Sequence, residues 1–329
     1  MAESLNNRSA DEPPASYISN VVVRLCVLCG LLASLATLLS FGARYHWVLD
    51  LFVNMRSQLA LGLTLATVPL LFYRNWRHVL VFTICLLVNL ADVVPLYLSP
   101  TVEPATGQMR ELTVLSGNVL SSNGNKRGYL DYLRKQKADL VLLLEVDPAW
   151  AEAASQLSDE YPYQIVSPRR DNFGLALFSR YELVDARVDL TLGLPTIVAD
   201  VKIDGSRITF IGTHPLPPVG AERFEIRNTQ LSALATRIQK LEHPVVLCGD
   251  LNTTPWSPAF KELLARGGLR DARVGFGLQS TWPAIPWPIA IPIDHILVSP
   301  QLTVTKFSAG PLIGSDHRPV QAKILIPTP

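Results

Sequence analysis

The stretch VVLCGDLNTTPWSP, residues 245–258, decides how the chain is read. The apolar run Val245–Cys248 has the length and composition of a strand buried on both faces, so a sheet covered above and below is predicted around it. The run stops at Gly249. Asp250 and Asn252 follow with one residue between them, and a Thr/Pro-rich turn comes next. A carboxylate and a carboxamide therefore stand at the mouth of a buried strand.

Short strands and a few helices extend outward from this stretch over residues 111–329. ELTVLSGNVL reads as a strand ending at Asn118, and DLVLLLEV as a second doubly buried strand with Glu145 near its end. FGLALFSRYELVDARVDL, PTIVADVKID and SRITFIGTH read as successive strands, with Asp204-Gly205 as the clearest hairpin turn. IDHILVS and RPVQAKILI close the series. Three stretches have helical periodicity: GYLDYLRKQKADL, AERFEIRNTQLSALATRIQKL, and SPAFKELLARGG, which closes on glycine. Many strands with interspersed helices, and no internal repeat, predict an α+β four-layer sandwich: two packed, mainly antiparallel sheets flanked by helices.

The first hundred residues have a different texture. Residues 1–19 are polar and read as a disordered tail. Residues 21–42 are apolar with one charge, Arg24, long enough to span a bilayer and without a convincing cleavage site. A second run, 59–73, is short, and the mixed segment before it carries Trp47 and Phe52, suited to a membrane interface. A third run, 78–99, contains Asn89 and, near its far end, Asp92, which is expected at the interface. About three helices over 20–99, then a linker over 100–110, make a multi-pass anchor for a domain over 111–329. Arg8, Arg24, Arg74 and Arg77 fall on one side of such a topology, and Arg44, Arg56 and Arg110 on the other. The positive-inside rule then puts the large domain outside the cytoplasm, in the plasma membrane.

Charged residues make up only 17% of the chain, and after residue 100 acids and bases balance. A neutral domain lacks the basic excess of a protein that grips long nucleic acid through many phosphates. Cys26, Cys29 and Cys85 lie in the apolar region and Cys248 alone in the domain, so no disulfide can form within the domain. The Cys26-Cys29 CxxC lacks a partner pair and reads as small packing residues on a span.

Polar residues collect where the strands end. Asn118, Glu145, His214, Asp250, Asn252, Asp294, Asp316 and His317 all stand at such punctuation. Taken singly, each has an ordinary reading as a solvated strand end, a turn residue or a cap. Together they make an inventory of oxygen ligands, amides and imidazoles, the kit for a hard divalent cation plus proton transfer. In its order the set resembles the endonuclease/exonuclease/phosphatase superfamily of metal-dependent phosphoesterases, which includes DNase I-like nucleases, sphingomyelinases and inositol-phosphate phosphatases. GDLNTTPWSP, IDHIL and SDHRPV carry the resemblance, supported by FGLALFSR and GTHP. It implies a two-sheet sandwich with outer helices. It also implies Glu145 as principal ligand of Mg²⁺ or Mn²⁺, with Asn118 beside it and Asp316 close by. Asp250 would orient or deprotonate the attacking water, Asn252 and His214 would hold phosphoryl oxygens, and His317 would bind the phosphate while held by Asp294.

Two uncharged Pro-rich segments border this rim: TWPAIPWPIAIPI before Asp294 and the turn after His214. With a bilayer anchor, they lead to the expectation of a lipid-phosphate substrate. A tethered DNA or RNA nuclease is the alternative, with Arg169, Arg170, Arg223 and Arg227 as candidate phosphate contacts. Glu222 and Glu225 beside the last two suggest instead a solvated, salt-bridged helix face. A non-catalytic binder of phosphorylated ligands is the third reading.

Overall fold

The computed structural model describes residues 15–99, 107–286 and 288–329. Expectations for residues 1–14, for residues 100–106 of the linker and for Trp287 lie outside the described residues.

Among the described residues, four α-helices come first: α1 (Ala15–Leu39), α2 (Trp47–Val53), α3 (Arg56–Phe72) and α4 (Trp76–Val93). Two helical stretches, Asn20–Gly42 and Trp76–Tyr97, are long and apolar enough to cross a membrane. Between them α2 and α3 meet at 62° and qualify as a third crossing only as one bent pair. The bend has a local cause. Asn54 ends α2 by donating its backbone and side-chain amides to Asp50 O, and Met55 leaves the helical region before α3 begins. Leu63, Ala66 and Leu70 of α3 pack against Val79, Phe82 and Cys85 of α4. A Cβ at Gly30 would lie 2.0 Å from the Phe82 ring, so only glycine lets α1 approach α4 this closely.

The rest is two six-stranded sheets. The strands are β1 (Met109–Asn118), β2 (Leu140–Leu144), β3 (Tyr163–Ser167), β4 (Leu175–Ser179), β5 (Leu183–Asp189), β6 (Thr196–Ile203), β7 (Ser206–Thr213), β8 (Val245–Asp250), β9 (Arg270–Asp271), β10 (Asp294–Val298), β11 (Thr303–Ala309) and β12 (Val320–Pro327). One sheet runs β11-β12-β1-β2-β4-β3 and the other β5-β6-β7-β8-β10-β9. Each is antiparallel apart from one parallel pair, β1 with β2 and β7 with β8. Helices α5 (Lys126–Gln136) and α6 (Pro148–Ala154) cover the first sheet, and α7 (Ala221–Ile238) and α8 (Pro258–Gly267) the second.

The predicted doubly buried strands have a direct structural cause. Leu140, Leu142 and Leu144 of β2 face the other sheet, while Val141 and Leu143 face α5 and α6. In β8, Val246 and Cys248 face inward and Val245 and Leu247 face α7 and α8. Two covered faces need apolar residues at every position, which erases the usual alternation. At the β6–β7 hairpin Asp204 and Gly205 both take positive φ, 47° and 88°, as a two-residue primed turn requires.

The helical unit docks on the sandwich through the turn that follows β8. Trp256 packs with Ala43, Val53, Val93 and Leu96, and its indole donates to Asp92 O at 3.1 Å. Asp92 stands near the end of α4, beside the sandwich, between Arg56 at 3.0 Å and Lys261 at 2.7 Å.

Candidate active site

Register sets the first contacts. Antiparallel pairing of β8 with β10 puts Asp250 opposite Asp294, and parallel pairing of β1 with β2 ends with Asn118 beside Leu144, next to Glu145. Gly249 lets β8 close on the end of β7, because a Cβ there would lie 1.9 Å from Thr213 O. That contact brings the following residue, His214, to Asp250, Nε2 to Oδ2 at 3.4 Å.

Asp250 is the hub. Its Oδ2 also lies 3.4 Å from Asn118 Nδ2 and 3.6 Å from His317 Nε2, and its Oδ1 accepts from Asn252 N at 2.9 Å. His317 Nδ1 donates to Asp294 Oδ2 at 2.9 Å. Ser315 joins this group to β1: its hydroxyl donates to Asn118 O and accepts from His317 N. Glu145 accepts from Asn118 Nδ2 at 2.8 Å, while Asn118 Oδ1 is taken by Leu120 N. Asp316 is exposed and accepts from the Trp282 indole at 3.2 Å. Asn252 donates its side-chain amide to Pro215 O at 3.0 Å. Glu145 and Asn252 both hold left-handed backbone, φ 60° and 50°. Strain of that kind at two non-glycine residues of one cluster is the sort that concentrates at working sites.

The electrostatics centre on His317. Burial opposes its charge, but the Asp294 and Asp250 carboxylates outweigh burial and push it up to about 10. It is an imidazolium at neutral pH. Burial pushes Asp250 upward, yet the charge of His317 and the hydrogen bond from His214 bring it to about 2. Burial dominates at Asp294 and raises it.

All eight residues singled out in the sequence lie in this one region. Glu145, His214, Asp250, Asn252, Asp316 and His317 face a pocket of about 850 Å³, with Asn118 and Asp294 fully buried behind them. A donor test separates two possible cation positions. Asp250, Asp294 and His317 could bring ligand atoms within 4.8 Å of one another. Protonated His317 has no lone pair to give, however, so that trio suits an internal ion pair better. Glu145 and Asp316 instead line the pocket, and their carboxylates are the kind of hard-oxygen donor that suits a hard divalent cation.

Other residues of the region went unflagged. Phe173 packs on the His214 ring at 5.2 Å between centroids. Buried Arg273 donates to His295 Nδ1, and His295 Nε2 donates to Thr253 O at 2.8 Å. Burial and the Arg273 charge keep His295 neutral. A histidine inside the apolar run IDHILV was the available signal. Arg227 corrects an expectation: it is wholly buried rather than solvated, paired with Asp50 of α2 at 2.8 Å. Its partner lies 177 positions away, beyond the reach of helix spacing.

The family described as the Endonuclease/Exonuclease/phosphatase family matches residues 115–317, more than half of the chain. An exodeoxyribonuclease of Bacillus subtilis (strain 168) is 27% identical over 259 residues, covering 65% of this chain and all of the relative. Among solved structures, an endonuclease/exonuclease/phosphatase from Bacteroides vulgatus superposes with TM-score 0.55 at 19% identity, over 65% of this chain and 98% of its own. D. rerio TDP2 complexed with single-strand DNA product gives 0.54 at 18%, with the same coverage. A mannosyl-6-phosphatase of Bacteroides thetaiotaomicron gives 0.52 at 18%, over 65% and 99%. At these identities the structures speak for the fold, and the sequence match speaks for the family. The chain belongs to the Endonuclease/Exonuclease/phosphatase family and is a hydrolase of phosphoester bonds.

Proposed function

We propose that the protein is a membrane-anchored, Mg²⁺- or Mn²⁺-dependent phosphoesterase that hydrolyses a lipid phosphate or pyrophosphate by attack of an activated water. One observation carries the lipid reading: the pocket has a polar floor and an apolar wall, and part of that wall belongs to the helical unit. Leu51 and Met55, at the elbow between α2 and α3, face the same pocket as His214 and Asp250. Val219, Trp282 and Ile289 belong to the same wall, and Ile289 is 63% exposed. Gln58, early in α3, donates to the carbonyls of Pro288, Ile289 and Ala290, latching this loop to the membrane side. An apolar mouth at the boundary between bilayer and sandwich suits a phosphate whose tail stays in the bilayer.

The proposed roles follow the geometry. Glu145, oriented by Asn118, and Asp316 would hold the cation, which supplies charge neutralisation and Lewis acidity toward a phosphoryl oxygen. Asp250 orients the water. Its basicity rises when His317 and His214 turn from Asp250 to the phosphate. Asn252 adds a neutral donor, and Asp294 fixes the ring of His317 and sustains its charge. The chain-end arrangement supports a domain outside the cytoplasm. Arg44 and Arg56 stand at the bundle end beside the sandwich, while Arg24, near the start of α1, and Arg74 and Arg77 stand toward the opposite end. A reporter fused after Pro329 tests that side.

A tethered nuclease is the second reading, favoured by the exodeoxyribonuclease relative and by exposed Arg223 at the pocket. It has lost one candidate phosphate contact, because Arg227 is buried, and Arg169 is engaged by Asp171. Chain-length dependence tests the lipid reading. With the full chain in detergent, kcat/KM should rise as the lipid phosphate's tail lengthens, and Ile289→Asp should flatten that rise. No dependence on tail length in the wild type would sink the lipid reading.

A further inference from the structure

The segment after Asp250 is held residue by residue from outside. Arg227 Nη1 donates to Asn252 O at 2.8 Å. His295 Nε2 donates to Thr253 O, and Asn54 Oδ1 accepts from both the backbone amide and the hydroxyl of Thr254, at 3.2 and 2.7 Å. Two of these three holds lead to α2. Asn54 ends that helix, and Arg227 is anchored by Asp50, whose other oxygen accepts from Ser257 Oγ at 3.1 Å. Asp50 and Arg227 are both buried, and the guanidinium N–H at Nε goes to Asn228 Oδ1.

We infer that Asp50, in the helix that flanks the membrane, is a positioning residue of the active site: it aims Arg227 at the Asn252 carbonyl and so fixes Asn252 in its left-handed conformation. Left-handed backbone is uncommon for a non-glycine residue and persists only where its surroundings over-determine it. The carbonyl of Asn252 is the handle. With the peptide held there, the Asn252 amide meets Asp250 Oδ1 and its side chain faces the pocket. Without Asp50, the guanidinium loses the acceptor that sets its direction. The catalytic loop is thus completed by the helical unit. This inference rests on phosphoester hydrolysis and is indifferent to whether the substrate is lipid or nucleic acid.

A buried ion pair could merely join two parts, and the test separates that role from positioning. The full chain in detergent carries Asp50→Leu, Arg227→Met, or both. Each single change strands one buried charge and should lower Tm, whereas the double change removes both charges and should recover it. Positioning predicts that the recovered double variant still has kcat reduced on the order of 10- to 100-fold, with KM little changed. The probe is bis(p-nitrophenyl) phosphate with Mn²⁺. Hydrogen exchange at Asn252–Thr254 should be faster than in the wild type. Asp50→Asn keeps an acceptor toward Arg227 and should retain more kcat than Asp50→Leu; it also serves if the apolar variants do not fold. A double variant with wild-type kcat and unchanged exchange at 252–254 would overturn the inference. An inactive wild type would count against the phosphoesterase reading, and amide exchange would still decide this one.

Discussion

His317 is held between two carboxylates, Asp294 in hydrogen-bond contact at 2.9 Å and Asp250 at 3.6 Å, just beyond it. Its charge has a measurable consequence. Activity should fall on the alkaline side near pH 10, as the imidazolium loses its proton, and a pH–rate profile of His317→Gln should lack that limb. The variant should also lose about 10²–10³ in kcat, as removal of one preorganised donor does elsewhere. The same residue sets a stability trend. Folded His317 binds its proton more tightly than the unfolded chain, whose histidine titrates near 6.5. Its contribution is therefore complete below about pH 6.5 and fades as pH rises toward 10, visible as a Tm decline that His317→Gln reduces. At Gly249 any side chain meets Thr213 O, so Gly249→Ala should cost about 1–3 kcal/mol or more in chemical denaturation. The eight polar residues were legible because each follows or opens a short apolar run, which marks a strand end on a rim. Arg227, Arg273 and His295 were not. Their partners come from distant segments, and nothing local in a sequence reports burial of a charge.

At the scale of elements, the doubly buried strands and the three amphipathic helices could be read from apolar continuity and spacing. Strands β3 and β11 could not, since their half-exposed residues, YQIVS and TVTKFSA, are as polar as loops and gain order only by pairing with β4 and β12. The elbow between α2 and α3 was visible only as a mixed segment: its local turn shows there, but the bonds of Asp50 and Asn54 to the sandwich are tertiary contacts that no local pattern reports. The wall that the elbow shares with the Ile289 loop yields a selective prediction. Leu51→Asp should depress turnover of a long-chain lipid phosphate by about tenfold or more, while leaving bis(p-nitrophenyl) phosphate hydrolysis near wild type, since burying part of one apolar side chain contributes roughly 1–3 kcal/mol. Equal losses on both substrates would place the defect in the chemistry rather than in tail binding.

In the whole molecule, the helical unit and the sandwich share a buried seam of Ala43, Val53, Val93, Leu96 and Trp256, and the buried Asp50–Arg227 pair also joins them. A chain lacking residues 1–99 would expose that apolar seam and strand Arg227. It should therefore aggregate and unfold at lower temperature than the full chain, and Arg227→Met should partly restore its Tm. Charge balance in the sequence was read against long nucleic acid, and the apolar mouth at the seam supports the proposed lipid phosphate. The direct measurement is product mass from the full chain in detergent with Mg²⁺ or Mn²⁺. Substrates are a phospholipid, an isoprenoid pyrophosphate, plasmid DNA and RNA, with Asp250→Ala and His317→Ala as controls. Lipid turnover that disappears in both variants, with DNA and RNA left intact, is the predicted result. Cleavage of DNA or RNA without lipid turnover would contradict the account and make the helices a tether for a nuclease.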